Sequence, residues 1–195
     1  MVIKAIETHY RGHRFRSRLE ARWAVFFETV GASWRYEHEG YDLDGLWYLP
    51  DFLLPDWGVY AEIKPGLPNS REFEKAIRLA DKSERPVLVF AGQPYPKEFV
   101  VFPVVPASLG GESFGLYPFD TVLSCVNCDS GLYLASSVPM DSKYPCIVLG
   151  GHSCVFAGNQ WAMSGDEPHP QPSLAIACAF AEARGARFEF GESGG

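Results

Sequence analysis

The chain has 195 residues, of which 47% are hydrophobic, 14% are aromatic and 21% are charged. That length suits one domain, or one domain with a small appendage, and the composition argues against a disordered chain. No stretch approaches the ~18 consecutive apolar residues of a membrane helix, and the first residues have no apolar segment like that of a signal peptide. We therefore expect a cytoplasmic protein that has no membrane partner.

The charges are distributed unevenly along the chain, whose net charge is −7. Residues 1–35 carry seven Lys/Arg and three Glu, a local charge of +4, whereas residues 98–195 carry three Lys/Arg and ten acids. Clustered arginines bind phosphate backbones, although the solvated entrance of a helix carries similar charges. The basic stretch therefore predicts a nucleic-acid interface, and the acidic half leaves a protein partner open. The arginines of this interface are Arg11, Arg14, Arg16, Arg18 and Arg22.

The first predicted elements are a helix and a β-hairpin. Apolar residues at three- and four-residue spacing predict a helix over residues 17–30, and Gly31 is expected to end it. Pro and Gly between two strand-like runs are typical of a hairpin turn. After the helix we predict an extended piece at residues 34–37 and two strands, residues 46–54 and 59–65, joined by a turn at residues 55–58.

A second helix is predicted to begin at Asn69 or Ser70, because either residue can cap it. Two short apolar runs after it, residues 86–91 and 99–105, are typical of buried strands. The order of helix, strands, helix and strand predicts an α/β sandwich. The residues of the second helix that we expect to face inward are Phe73, Ala76, Ile77 and Ala80.

The composition changes after residue 106, which divides the chain into a core (residues 1–106), an extension (residues 107–170) and a C-terminal part (residues 171–195). The extension is rich in Gly, Ser and Pro, and we expect it to be irregular, with short strands such as one at residues 146–149. A last helix over residues 173–184 is predicted to pack back on the core. Its core-facing residues are expected to be Leu174, Ala177, Cys178 and Ala181.

Four of the five cysteines fall in the extension with the spacing C-x2-C-x17-C-x7-C. The first pair has the spacing of a zinc ribbon, whereas the second pair is too wide to be regular. Bound Zn²⁺ would keep a segment with so little core folded, and unmetallated cysteines are the alternative. The odd number of cysteines fits a reducing compartment. The zinc ligands would be Cys125, Cys128, Cys146 and Cys154, with His152 as an alternative ligand.

The register of the hairpin brings two carboxylates together. A four-residue turn pairs Leu54 with Val59, and the antiparallel ladder then places Asp51 opposite Glu62, on the face that Lys64 shares. Abutting carboxylates repel each other, so they indicate a site rather than a structural contact. Mg²⁺ binds one or two carboxylates and completes its shell with water and phosphate oxygens. The alternative is a surface hairpin on which Glu62 pairs with Lys64.

Pro50-Asp51, ten residues, and then Glu62-Ile63-Lys64 resembles the signature of the PD-(D/E)XK nuclease superfamily. The resemblance covers about residues 10–105 and implies a restriction-endonuclease-like αβββαβ core. It also implies that Asp51 and Glu62 hold Mg²⁺ or Mn²⁺, with the Ile63 carbonyl as a third ligand. Lys64 would orient or activate the attacking water. Pro65 departs from many relatives, but it favours an extended Lys64, which is compatible with a strand.

An upstream glutamate on the first helix is a second feature that similar nucleases share, and by this resemblance Glu20 would face the metal site. The sequence also supports a structural reading, because Ser17-x-x-Glu20 is a capping box in which Glu20 bonds the Ser17 backbone amide. Glu20 is therefore a candidate catalytic residue with a competing role at the start of the helix.

The resulting functional hypothesis is a Mg²⁺-dependent DNA endonuclease of a bacterium, phage or mobile element. A DNA-binding or defence-related interaction protein with an impaired nuclease site is the first alternative. The second is a zinc-containing structural or regulatory protein in which the pairing of Asp51 and Glu62 is incidental. DNA structure, the choice between DNA and RNA, and oligomeric state stay open at this point.

Overall fold

The computed structural model describes residues 6–109, 121–124, 132–135, 147–149 and 174–188, and of the three short middle segments it describes the backbone alone. Three α-helices, one 3-10 turn and twelve short strands lie within these ranges. The helices are α1 (Arg18–Thr29), α2 (Ser70–Ser83) and α3 (Leu174–Gly185), and the 3-10 turn is Ala107–Leu109. The strands are β1 (Thr8–Tyr10), β2 (His13–Phe15), β3 (Arg35–Tyr36), β4 (Tyr41–Asp42), β5 (Trp47–Tyr48), β6 (Phe52–Leu54), β7 (Val59–Lys64), β8 (Val87–Gly92), β9 (Phe99–Val104), β10 (Thr121–Ser124), β11 (Leu132–Ala135) and β12 (Ile147–Leu149).

A five-stranded mixed sheet organises the core, in the order β3-β6-β7-β8-β9. Strands β7 and β8 are parallel, and α2 supplies the crossover that a parallel pair requires, while the other neighbours are antiparallel. Helices α1 and α3 pack on one face of the sheet, and α2 with the β4-β5 hairpin packs on the other. The chain is therefore a mixed α/β protein, as the order of elements predicted.

Helix α1 matches its prediction because the signals at both ends are local. Ser17 is the N-cap and its hydroxyl accepts a hydrogen bond from the Glu20 amide at 3.2 Å. Gly31 follows the helix with φ +78°, a conformation that favours glycine. Trp23, buried against the sheet, donates from Nε1 to the Gly92 carbonyl at 3.0 Å and so ties α1 to the end of β8.

The turn and its register are confirmed, whereas the first strand of the hairpin is shorter than predicted. Leu54 pairs with Val59, and Gly58 has φ +67° in the turn. The run over residues 46–54 is divided, because its first part pairs in the β4-β5 hairpin and β6 begins only at Phe52. Pro50 lies at the division, and proline has no N–H to donate to a continuous ladder.

Helix α2 begins as predicted but is rotated relative to the expected face. Asn69 is its N-cap in a capping box with Glu72. Leu79 is fully buried, whereas Ile77 is exposed, so the expectation that Ile77 faces inward is wrong. An apolar stripe through Ala76 and Ala80 can be completed on either side, and packing against the sheet selects the side of Leu79.

Helix α3 packs back on α1 as expected, but through the opposite face. Phe180 contacts the rings of Phe26 and Phe99, with centroids 4.9 Å and 5.8 Å away. Hydrophobicity does not select a face of this helix, because small apolar residues lie all round it. The buried residues are Ile176, Ala179, Phe180 and Ala183, whereas Leu174, Ala177, Cys178 and Ala181 are exposed. Placement of Cys178 in the core was therefore wrong.

The extension contains a three-stranded antiparallel sheet in the order β10-β11-β12, including a strand at Ile147–Leu149 where a short strand was predicted. The predicted zinc ligands Cys125, Cys128, Cys146 and Cys154, and His152, lie outside the described residues. The zinc module stays a prediction. Every helix within the described ranges falls short of the length and hydrophobicity needed to cross a bilayer.

Candidate active site

Asp51 and Glu62 meet at one end of the central sheet. The β6-β7 ladder pairs Phe52 with Ala61, so the next pair of positions is Asp51 and Glu62, as the turn length predicted. Both side chains are buried, with relative exposures of 4% and 2%. Over the described parts of the chain the buried polar or charged residues are Thr8, Glu20, Asp51 and Glu62. Three of these four residues are the acids that the sequence singled out.

Asp51 is held by three donors or cations. Its Oδ2 accepts a hydrogen bond from the Ile63 amide at 2.7 Å and lies 3.9 Å from Lys64 Nζ. Its Oδ1 accepts a charge-assisted bond from the Arg16 guanidinium. The Asp51 carboxylate therefore links the backbone of β7 to Arg16, the residue before the N-cap of α1.

Glu62 has a different set of contacts from Asp51. Its Oε2 accepts a bond from Lys64 Nζ at 2.9 Å. Its Oε1 is buried and accepts no bond of normal geometry from a described residue, although the Tyr48 hydroxyl interacts with this carboxylate. A buried acceptor left unpaired costs about 1–3 kcal/mol, and more when it is charged. The expected pairing of Glu62 with Lys64 is present, but it satisfies one oxygen of the two. The second oxygen is a buried acceptor with no strong donor among the described residues.

The electrostatics of this cluster disfavour a second negative charge. Burial raises the pKa of Asp51, and the neighbouring Glu62 carboxylate raises it further. Burial tends to lower the pKa of Lys64, but the attraction of Glu62 and Asp51 outweighs it, so this pKa is raised. Burial and then the charge of Glu62 also raise the pKa of Tyr48. The cluster therefore holds two buried carboxylates, Asp51 and Glu62, against two cations, Lys64 and Arg16, and burial is the largest cause of the raised pKa of Asp51.

Glu20 lies beside the cluster, and both of its carboxylate oxygens accept hydrogen bonds. Its Oε1 accepts from the Ser17 hydroxyl at 2.8 Å, and its Oε2 accepts from the Tyr36 hydroxyl at 2.6 Å and from the Arg16 amide at 3.1 Å. The bond to the Ser17 backbone amide that a capping box predicts is replaced by one to the Ser17 hydroxyl. The charge of Glu20 raises the pKa of Asp51, which places Glu20 within electrostatic reach of the acid pair.

Arg16 connects the two sides of the site. Its Nε lies 2.8 Å from Glu37 Oε1 while its Nη2 bonds Asp51. Burial tends to lower the pKa of Arg16, but the charge of Asp51 and the Tyr36 hydroxyl outweigh this effect, so the pKa is raised. Sequence reasoning did not identify Tyr36, Glu37 or Tyr48. Tyr36 could have been identified from its position on the predicted extended piece, which pairs with β6.

The remaining arginines of the predicted nucleic-acid interface differ in their partners. Arg11 lies 3.3 Å from Glu28, and Arg14 pairs with Glu7 at the surface. Arg18 is exposed, and Arg22 donates to Gln93 Oε1 at 3.3 Å. Neither Arg18 nor Arg22 forms an ion pair with a residue that the structure describes.

The acid pair passes one structural test for a divalent cation. Glu62 Oε1 is a buried carboxylate oxygen without a hydrogen bond of normal geometry from a described residue, and it lies beside a second buried carboxylate, Asp51. Within the described ranges, no group of three or more His, Cys, Asp or Glu side chains is arranged to hold a metal. A cation here would therefore depend on two carboxylates with backbone, water and substrate oxygens, the set that Mg²⁺ accepts.

No family model, curated protein or solved structure matches the chain. The class that the structure itself defines is a mixed α/β protein with a five-stranded sheet and a buried pair of carboxylates at one end of it.

Proposed function

We propose that the chain is a cytoplasmic, Mg²⁺-dependent endonuclease of the PD-(D/E)XK type that hydrolyses phosphodiester bonds in DNA. The observation that supports this proposal best is the buried pair Asp51 and Glu62, with one carboxylate oxygen that has no strong donor among the described residues, beside the amine of Lys64. Two buried carboxylates side by side repel each other, and a divalent cation between them would offset that repulsion. A restriction-endonuclease-like core is part of the same proposal, and the α1, β6-β7, α2, β8 order is compatible with it.

Asp51, the Oε1 atom of Glu62 and the Ile63 carbonyl would hold Mg²⁺ or Mn²⁺. When bound, this ion supplies polarisation of a phosphoryl oxygen and a lowered pKa for a coordinated water. Lys64 contacts both carboxylates, and its ammonium donates to the attacking water or offsets the negative charge that develops on the phosphate. Glu20, already anchored by Ser17 and Tyr36, assists from the edge of the site as an acceptor that orients water.

Arg16 has to change partner in this proposal, because it bonds the Asp51 oxygen that the metal would use. Its guanidinium is about half exposed, so it can release Asp51 and donate to a substrate phosphate instead. The exchange keeps the local charge balanced, since the metal replaces the arginine on Asp51 while the phosphate replaces Asp51 on the arginine.

Cleavage assays on matched variants test the proposal. Supercoiled plasmid and labelled single-stranded and duplex oligonucleotides are incubated with Mg²⁺, Mn²⁺, Ca²⁺ or EDTA. We expect cleavage with Mg²⁺ or Mn²⁺, and a loss of at least about 100-fold in D51N, E62Q and K64M. E74Q is the control, because Glu74 is an exposed carboxylate that pairs with Arg78 on α2. Equal cleavage by E62Q and E74Q would contradict the assignment.

The ion pair between Arg16 and Asp51 favours a second candidate function. In a nuclease-fold protein that binds DNA without cutting it, this arginine would replace the metal permanently and neutralise the buried aspartate. That candidate requires a wild type that binds DNA, cleaves nothing with any divalent cation, and loses stability rather than activity on Arg16→Ala.

A further inference from the structure

A second cluster of chemical interest lies at the same end of the sheet as Lys64. Lys64 pairs with Ala91 across the parallel strands β7 and β8, and the chain then leaves β8 through Gly92 into the loop that carries Tyr95. Two guanidinium groups flank this tyrosine. Arg22, from α1, lies 5.8 Å from the ring centroid, and Arg184, from the last turn of α3, lies 5.5 Å from it.

The loop that presents Tyr95 is fixed in position. The Gln93 amide donates to the Glu98 carbonyl at 3.1 Å, and the Glu98 amide donates to the Tyr95 carbonyl at 3.0 Å. Gly92 has φ +109°, and a Cβ there would lie 2.2 Å from the Glu98 carbonyl oxygen, so only glycine fits. The Gly92 carbonyl also accepts the bond from Trp23. The backbone that carries Tyr95 is therefore held in place.

The two arginines are cationic groups that form no ion pair with a carboxylate in the part of the chain that the structure describes. Arg11, Arg14 and Arg16 each have an acidic partner, whereas neither Arg22 nor Arg184 forms an ion pair with any residue in the described ranges. Arg22 is half-buried, its Nη1 bonds the neutral Gln93, and its Nε is buried without a hydrogen-bond partner. Two cations on one ring repel each other, and the ring itself attracts each only weakly. The arrangement therefore favours the binding of anions, such as successive phosphates, by the two guanidinium groups.

We propose that Arg22 and Arg184, supported by Tyr95, bind backbone phosphates of the DNA strand that enters the candidate active site. The inference rests on the proposed function for the identity of the substrate. A guanidinium fork matches phosphate geometry, and a nuclease has to hold the strand on both sides of the scissile bond. Helix α3 thereby completes a binding surface that α1 begins, although the two helices come from opposite ends of the chain.

Salt-dependent binding tests this assignment without relying on cleavage. The affinity of a duplex oligonucleotide is measured from about 50 to 200 mM salt in the D51N background, alone and with R22Q, R184Q or both. The slope of log affinity against log salt is negative, and each lost phosphate contact reduces its magnitude by about 0.9. We therefore expect the magnitude of the slope to fall by about one in each single variant and by about two in the double variant. R85Q is the control, since exposed Arg85 precedes the first residue of β8 and Tyr95 follows its last, so the two lie at opposite ends of that strand. Circular dichroism confirms that each variant is folded.

The outcomes separate this inference from the proposed function. We call Arg22 and Arg184, supported by Tyr95, the arginine clamp. Reduced slopes in R184Q and R22Q, with an unchanged slope in R85Q, support the clamp even when the wild type cleaves nothing. Cleavage by the wild type with R184Q and R22Q binding like R85Q overturns the clamp alone. A wild type that binds neither DNA nor RNA overturns both. Preferential, Arg184-dependent binding of polyglutamate over DNA would identify an acidic protein as the partner and would also overturn the clamp.

Discussion

Asp51 shows how one residue is constrained by several others at once. It is buried opposite Glu62, bonded to the Ile63 amide and paired with Arg16. The register that places it there was predictable, because a four-residue turn fixes every later pair in an antiparallel ladder. The pairing with Arg16 was not predictable, since Arg16 lies 35 positions away along the chain and reaches Asp51 only after α1 packs on the sheet.

The first prediction concerns pH and the acid pair in metal-free protein. Burial and Glu62 raise the pKa of Asp51 from 3.8 to about 8. A group whose pKa is higher in the folded state contributes stability below its unfolded pKa and loses that contribution as the pH rises. We therefore expect the wild type to lose stability relative to D51N as the pH rises from 4 to 8, because the folded protein then has to ionise a buried carboxyl group.

Urea denaturation at a series of pH values measures this difference, and E74Q controls for the removal of an exposed carboxylate. Mg²⁺ at saturating concentration should restore the lost stability at pH 8, because it binds the folded state. If the free energy of unfolding changes with pH in the same way in the wild type and in D51N, Asp51 is already ionised at low pH. The raised pKa assigned to Asp51 would then be wrong.

At the scale of elements, the start of α1 serves both the helix and the site. Ser17 accepts a bond from the Glu20 amide and donates one to the Glu20 carboxylate. Helix boundaries were predictable because caps and glycine stops act locally. The buried face of α3 and the division of the strand at Pro50 were not, since tertiary packing selects among faces of equal hydrophobicity and among alternative strand partners.

The second prediction compares the caps of two helices. Ser17→Ala and Asn69→Ala each remove an N-cap side chain, so each should lower the free energy of unfolding by about 1 kcal/mol. Only Ser17→Ala also removes a donor from Glu20, and we expect it alone to reduce the rate of DNA cleavage at saturating Mg²⁺. Thermal denaturation and single-turnover cleavage are measured on the same preparations. Equal cleavage rates in the two variants would assign Glu20 to helix capping alone.

At the scale of the whole molecule, α3 closes the α1 face of the sheet and delivers Arg184 to the loop after β8. The contact depends on aromatic packing, in which Phe180 touches both Phe26 of α1 and Phe99 of β9. The sequence predicted that this helix returns to the core, since an apolar helix needs a surface to cover it. It did not reveal which arginines would meet there.

The third prediction tests this closure. Phe180→Ala should destabilise the fold by about 3–5 kcal/mol through the cavity it leaves, and should weaken DNA binding because α3 no longer positions Arg184. Leu174→Ala, at a residue that is 81% exposed on the same helix, should change stability by less than about 0.5 kcal/mol. Denaturation midpoints of both variants measure these two changes in stability. A Phe180→Ala variant as stable as Leu174→Ala would show that α3 does not pack in this way.

The most direct measurement of the central claim is a Mn²⁺ titration followed by electron paramagnetic resonance, with Mg²⁺ as competitor. We expect one site in the wild type that Mg²⁺ displaces, retained in E74Q and weakened at least tenfold in both D51N and E62Q. Absence of a Mn²⁺ site in the wild type, or equal binding in E62Q and E74Q, would show that the buried carboxylates do not hold a divalent cation.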